Sequence, residues 1–163
     1  MLENLRPQFL EKVTTILETM FFLIVEPIED PIRGGEMEKG AEVQDSDASF
    51  VKGTIGLQGK KKGTIRLYLP QTLAQKMAED FLGLEEDVIA QNQVLDMIGE
   101  LINVIAGNLI SCIGGQGEFT LTMPRAETSP APPAGNKTAG EEMDLYFQAE
   151  EGWGKLEIRL GEG

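Results

Sequence analysis

The sequence predicts an α+β fold in which two long helices pack on one face of a mixed or antiparallel sheet of about five to six strands. Apolar side chains recur at helical spacing in two long segments, 7–25 and 91–113. Segments with strand patterns come in neighbouring pairs. The resulting order, α–β–β–α–α–β–β–β, has little of the β-α-β alternation that a parallel sheet requires.

The first long helix is predicted at 7–25. It starts with Pro7, a favourable residue for a first helical turn, and Pro27 follows its last apolar positions. The next segment, 29–48, is acidic and contains glycine but few apolar side chains. We expect it to form a loop or a weak edge strand.

A β-hairpin and a short helix are predicted next. Residues 48–57 and 63–69 are rich in strand-forming residues and are separated by the polar segment 58–62. Residues 71–82 then have the pattern of a short helix that Gly83 ends.

The part of the chain after the second long helix is predicted to be mostly strands. Residues 118–123 resemble a strand, and 125–140 are so rich in Pro, Ala, Ser, Thr and Gly that we expect a flexible loop. Two further strands, 144–150 and 155–160, flank a predicted turn at 152–154.

Length and composition limit what the protein can be. The 163 residues are enough for one domain with its own core, 1–163. Histidine is absent and Cys112 is the one cysteine, so histidine-based catalysis, an internal disulfide and a thiolate metal cluster are excluded. The net charge of −13 argues against a nucleic-acid partner, since polyanions are bound by clustered Lys and Arg.

Nothing in the sequence indicates a membrane partner. No uninterrupted apolar run reaches the ~18 residues of a membrane span, and the acidic N-terminal region lacks an export pattern. We therefore expect a cytoplasmic protein.

The segment 91–113 carries the candidate site. Apolar side chains cover most of its circumference, which predicts a helix buried on most sides. The exceptions lie at steps of three and four residues and therefore share one face. This polar stripe consists of Asn92, Asp96, Glu100, Asn103 and Gly107, with Gly99 beside it.

The centre of the stripe has an unusual composition for a helix. Asn103 lies between Gly99 and Gly107, and an interior glycine costs a helix about 0.5–1 kcal/mol. Two glycines around Asn103 and Glu100 would let another surface approach the backbone closely. The simpler interpretation is a solvent-exposed face whose glycines serve helix packing, and periodicity alone favours it. Asn108 points to another side, where we expect a buried, hydrogen-bonded packing residue.

Residues 96–108, Asp-Met-Ile-Gly-Glu-Leu-Ile-Asn-Val-Ile-Ala-Gly-Asn, resemble the CheC/CheX family of bacterial chemotaxis phosphatases. That family has a helix with Glu, two intervening residues and Asn, and a Pro a little over twenty residues later. Glu100, Asn103 and Pro124 match this signature. The layout of helices and strands also resembles CheX, so the likeness covers most of the chain.

CheC proteins carry a second copy of the motif on the first helix, and this chain departs from that pattern. The comparable stretch reads Glu18-Thr19-Met20-Phe21, in which an aromatic residue replaces the asparagine. One complete site remains, which is the arrangement of CheX.

The resemblance implies a phosphatase that hydrolyses the aspartyl phosphate of a CheY-like receiver domain. It implies that Asn103 positions the attacking water and that Glu100 pairs with the receiver's active-site lysine. The protein would need no cofactor or metal of its own, because the receiver supplies Mg²⁺. Gly99 and Gly107 would admit the rim of the receiver, and Asp96 is a further candidate for contacts with it.

Other interpretations remain open at this stage. The chain could be a non-catalytic module that docks on a receiver domain or a flagellar-switch protein, or a structural dimerisation module in which Asn103→Ala has no effect. A metal-dependent hydrolase using Asp96 and Glu100 lacks a third ligand nearby. The resemblance also implies a homodimer associating through strand edges, and it raises a CheD-like deamidase as an adaptor; the residues decide neither.

Overall fold

The structure, a computed structural model, describes residues 2–31, 49–84, 88–114, 119–132 and 141–162. Within these ranges it contains three α-helices and seven strands. In chain order they are a 3-10 turn at Leu2–Leu5, α1 at Arg6–Phe21, β1 at Glu26–Ile28, β2 at Phe50–Gly59, β3 at Lys61–Pro70, α2 at Gln71–Leu82, α3 at Gln91–Ile113, β4 at Phe119–Leu121, β5 at Arg125–Ser129, β6 at Glu141–Ala149 and β7 at Gly152–Glu162.

All seven strands form one sheet in the order β1-β6-β7-β3-β2-β4, and β5 also pairs with β2 on the same edge as β4. Every pairing is antiparallel. The predicted α+β class and the predicted first hairpin are confirmed. The sheet has more strands than the five to six expected, because β1 and β5 are short edge strands that the sequence pattern did not reveal.

The three helices cover one face of the sheet. On β3, Ile65, Leu67 and Leu69 are fully buried in the core that the helices share with the sheet. The alternating positions face the other side, where Tyr68 joins an aromatic cluster with Phe50, Tyr146 and Trp153. This period of two is the pattern of a strand whose two faces have different surroundings.

A group of ion pairs lies on the face of the sheet opposite the helices, beside the aromatic cluster. Lys155 is fully buried, and its Nζ lies 2.8 Å from Glu157 Oε2 and 3.7 Å from Asp144 Oδ2. Arg159 Nη1 bonds to Asp144 Oδ1 at 2.7 Å. Although burial opposes it, the hydrogen bond from Arg159 to Asp144 keeps the pKa of the Arg159 guanidinium above its ordinary value. The buried charges are thus paired with one another, as burial demands.

Helix α1 ends earlier than predicted. Its last residue is Phe21, and Phe22 follows with a left-handed φ of 54°, its N–H bonding to the carbonyl of Glu18. The chain then turns away, and β1 pairs with β6. Ile24, which lies within the predicted helix 7–25, is 76% exposed. The prediction of a helix to 25 is wrong because such a turn can end a helix before any proline.

The predicted flexible loop at 125–140 is wrong in its first part, since β5 lies there. Residues 133–140 lie outside the described residues, as do 32–48 of the predicted acidic segment. The segment 125–129 is ordered by pairing with β2, a partner about seventy residues away in sequence. The composition of a segment does not reveal its pairing with a strand so distant in sequence.

The two edge strands β4 and β5 pair with β2 in registers that differ by one residue. Leu57 faces Leu121 in one pairing, whereas Thr54 faces Arg125 in the other. Three residues, 122–124, therefore lie opposite only two of β2. This is a β-bulge, a device that bends an edge strand and redirects a side chain.

The second hairpin is confirmed, but its turn lies elsewhere. Gly152 already pairs with Ala149, so the turn is formed by residues 150–151 and not by 152–154. Gly154 lies inside β7, where a Cβ would be 2.7 Å from the Phe147 ring. This glycine allows close packing between strands, and the sequence alone does not distinguish such a glycine from one in a turn.

Candidate functional site

Helix α3 lies over the edge of the sheet formed by β2, β4 and β5. Its buried residues follow steps of three and four along one side. They are Val94, Met97, Ile98, Leu101, Ile102, Ile105, Ala106 and Leu109. Gly53 of β2 allows this close packing, because a Cβ there would lie 2.9 Å from Ile98 Cγ2 and 3.3 Å from Ile102 Cβ. The predicted bounds of the helix, 91–113, are confirmed.

The start of α3 is held in place by hydrogen bonds to its surroundings. The Gln93 side chain accepts from the Ala90 N–H at 2.8 Å. The amides of Gln91 and Gln71 bond to each other in both directions, at 2.8 and 3.0 Å. Since the backbone of Gln71 also bonds to the carbonyl of Ser49, the first turn of α3 lies beside the start of β2.

The polar stripe faces outward. Asn92, Asp96, Glu100, Asn103 and Gly107 are all exposed. Within the described part of the chain, neither Glu100 nor Asn103 has a hydrogen bond or ion pair from its side chain. The helix itself has no Lys or Arg, so Asp96 and Glu100 are its whole formal charge. A carboxylate and a carboxamide one turn apart are thus available to an outside molecule.

The two glycines of the stripe have no packing partner. A Cβ at Gly99 or at Gly107 would meet nothing within 4 Å. Gly53 and Gly154 behave in the opposite way, since a Cβ at either would overlap a neighbouring side chain. Intramolecular helix packing, the simpler explanation for Gly99 and Gly107, therefore does not account for them within the described residues.

Asn108 is exposed, so the expectation that it is buried is wrong. Its hydrogen bonding was expected, and its Nδ2 donates to the carbonyl of Val104 at 2.8 Å. Ser111 likewise donates to the carbonyl of Asn108 at 2.7 Å. Local bonds to the helix backbone satisfy these polar groups on the surface. Asn103 differs from Asn108 because its carboxamide has no hydrogen-bond partner among the described residues.

Helix α1 has no comparable free carboxamide at the place where CheC carries its second motif. Phe21 is buried there, and its ring centroid lies 5.2 Å from that of Phe81 on α2. Glu18 is exposed, while Thr19 donates to the carbonyl of Thr15. The aromatic residue is part of the core, so this face of α1 lacks the paired side chains of α3.

The β-bulge beside α3 presents a residue, Met123, that the sequence patterns do not indicate. Met123 is 83% exposed. Thr122 fixes the bulge, because its Oγ1 accepts from the Gly56 N–H at 2.8 Å and its own N–H donates to the Gly56 carbonyl at 3.0 Å. Pro124, singled out by the family signature, closes the bulge and could have directed attention to Met123.

Two further observations concern metals and membranes. In the ranges that the structure describes, no group of three or more Asp, Glu or Cys side chains is placed to hold a metal ion. Helix α3 is 23 residues long and contains an 18-residue stretch with a mean hydropathy of 1.4, so it is long and apolar enough to cross a membrane. The core helix of a globular protein passes the same test, and one side of α3 is buried against the sheet.

Solved structures of chemotaxis proteins share this fold. CheX from Vibrio vulnificus has a TM-score of 0.71 and 21% identity, with 93% of each chain covered. A CheC-like superfamily protein from Shewanella sp. PV-4 has a TM-score of 0.69 and 26% identity, covering 93% of this chain and 94% of that one. CheX from Borrelia burgdorferi, in a complex with CheY, BeF₃ and Mg²⁺, has a TM-score of 0.68 and 21% identity, covering 94% and 96%.

The fold is thus that of the CheC/CheX-like chemotaxis proteins. The family model described as chemotaxis phosphatase CheX matches residues 51–142, a range that contains the whole of α3 and the β-bulge. The chain belongs to this CheX family. No curated protein sequence gives a significant match to it.

Proposed function

We propose that the protein hydrolyses the aspartyl phosphate of a CheY-like receiver domain. The observation that carries the proposal is the pair Glu100 and Asn103, which lies between two glycines that face open space. Both side chains are exposed and have no partner among the residues that the structure describes. The complex of a similar protein with CheY, BeF₃ and Mg²⁺ supports a receiver as the partner. A receiver substrate also implies a cytoplasmic location.

Asn103 would position the water. Phosphoryl transfer needs the attacking oxygen in line with the leaving oxygen and the developing charge neutralised, and it needs little covalent chemistry from a helper. A carboxamide both donates and accepts hydrogen bonds, so Asn103 can hold a water opposite the leaving oxygen. A glutamine orients the water in small GTPases in the same way. The absence of histidine is therefore no obstacle.

Glu100 would set the register of docking. A carboxylate beside a phosphoryl group is repelled unless a cation neutralises it, so Glu100 requires a receiver lysine as its partner. Glu100 has no ion pair of its own to break within the described residues, which leaves it free for that contact. Mg²⁺ would belong to the receiver, bound by the receiver's own carboxylates.

The test is phosphate release from a CheY-type receiver kept phosphorylated by acetyl phosphate. Wild type, Asn103→Ala and Glu100→Gln are compared, with Asn108→Ala as the matched control. Asn108 is the same residue type on the same exposed helix, but its amide donates to the carbonyl of Val104. We expect Asn103→Ala to abolish the acceleration while receiver binding persists, Glu100→Gln to weaken both, and Asn108→Ala to change neither.

The same experiment separates the alternatives. Wild type that binds the receiver without accelerating release would identify a docking module. Equal losses in Asn103→Ala and Asn108→Ala would contradict a specific role for the Asn103 carboxamide. If the protein binds no receiver, the polar stripe is simply a solvent-exposed face of the helix.

A further inference from the structure

The β-bulge at 122–124 lies on the edge of the sheet that α3 covers. Met123 is the most exposed large apolar residue on this edge of the sheet, at 83%. Within the described residues, no strand pairs with the outer side of β4 or β5, so the bulge lies at a free edge.

The level of the bulge along α3 follows from the packing of α3 on β2. The first residues of α3 lie beside the first residues of β2, and Gly53 of β2 packs against Ile98 and Ile102 of α3. The bulge lies opposite residues 55–56 of β2, about 8 Å further along at ~3.3 Å per residue. At 1.5 Å per helical residue, that distance corresponds to about five to six residues of α3. The bulge is therefore level with the segment from Asn103 to Gly107.

The position of Met123 is determined by the backbone, not by packing of its own side chain. Thr122 is tied to Gly56 by two hydrogen bonds, and Pro124 has no N–H to continue the pairing. The one-residue change of register between β4 and β5 falls between these two anchors. Bulges at sheet edges are often placed beside functional sites, where they redirect one side chain.

We propose that Met123 is a docking residue for the receiver and sets the affinity of the complex, without taking part in hydrolysis. This rests on the proposed function above. The occupant is a receiver whose rim presents an apolar side chain beside its phosphorylation site. A flexible thioether adapts to such a surface, and Gly107 leaves the space beside α3 open for the receiver's approach.

The experiment measures phosphate release as a function of receiver concentration, which separates KM from kcat. Variants are Met123→Ser, Met123→Leu and Ile24→Ser. Ile24 is the matched control, since it is 76% exposed and lies two residues before β1, the opposite edge strand. We expect Met123→Ser to raise KM about five- to ten-fold, as truncating a contributing interface residue does, with kcat unchanged. Met123→Leu and Ile24→Ser should stay close to wild type.

Binding to a receiver activated by beryllofluoride and Mg²⁺ provides a readout that does not depend on catalysis. A higher Kd in Met123→Ser than in the wild type supports the docking role. If the wild type binds the receiver but accelerates no hydrolysis, the proposed phosphatase activity is contradicted, whereas this inference is not. An unchanged KM and Kd in Met123→Ser, or an equal rise in Ile24→Ser, would overturn it. A fall in kcat at unchanged KM would overturn it as well.

Discussion

Replacing Gly99 and Gly107 with alanine should stabilise the fold and weaken the function. Glycine inside a helix is less favourable than alanine because it loses more conformational freedom on folding. Neither added methyl group would meet an atom within 4 Å, so no steric cost opposes the gain. Each substitution should therefore contribute about 0.5–1 kcal/mol to the free energy of unfolding.

The double variant should show the sum of the two effects. The positions are eight residues apart, or about 12 Å along the helix, a separation at which effects on stability add. The total of about 1–2 kcal/mol corresponds to a rise in Tm of about 2–8 °C for a chain of this size. Thermal unfolding followed by circular dichroism and a urea titration measure both quantities.

Gly53→Ala is the contrasting control. Its Cβ would lie 2.9 Å from Ile98 Cγ2, so we expect overpacking to lower the free energy of unfolding by about 1–3 kcal/mol. In the same samples, the double variant should show a raised KM for the phosphorylated receiver, because two methyl groups now occupy the space left for its rim. Destabilisation by the double variant would refute the assignment of open space at these glycines. Stabilisation with an unchanged KM would refute their role in docking.

Three other predictions concern charge, pH and the core. The protein has a net charge of −13 and no basic residue on α3, so its association with an acidic receiver should weaken as ionic strength is lowered. A Kd that falls at low ionic strength would contradict this repulsion between net charges. The Arg6 side chain holds the pKa of Glu3 below its ordinary value of 4.5, so the pair stabilises the fold above that value and the contribution is lost as pH falls through the lowered pKa. Glu3→Gln should thus be slightly less stable than wild type at pH 7 and equal to it at low pH in urea titrations, and a gap that persists in acid would argue against the pairing. Phe21→Asn, which restores the asparagine of a second motif, should cost about 3–5 kcal/mol because it empties a buried site, and unchanged stability would show that Phe21 contributes little to the core.

The candidate helix was the most predictable part of the molecule. Its bounds and its exposed stripe follow from a pattern of apolar residues that keeps a period of 3.6 residues over 23 positions. Only one orientation of the helix on the sheet buries that apolar side. Asn108 shows the limit of that approach, because a hydrogen bond to the helix's own backbone satisfies an exposed amide as well as a buried one. Whether Glu100 and Asn103 act as proposed stays a prediction.

Features that depend on distant pairing could not be predicted. Strand β5 forms from a segment rich in polar and small residues because β2 offers an edge for pairing, and the bulge exists only as a difference between two registers. The end of α1 depends on a single left-handed residue, Phe22. The role of Gly154 cannot be read from a turn pattern, because only the folded sheet brings the Phe147 ring beside it.

The position of β7 has a consequence for how the protein is made. This strand is the last described element of the chain, yet it lies in the middle of the sheet and joins β6 on one side to β3 on the other. On a translating ribosome, the hairpin of β2 and β3 can form early, but no strand joins the β1–β6 pair to it until residues 152–162 emerge. The nascent chain must therefore keep two open sheet edges from pairing wrongly until then, a period in which chaperone binding would be most useful.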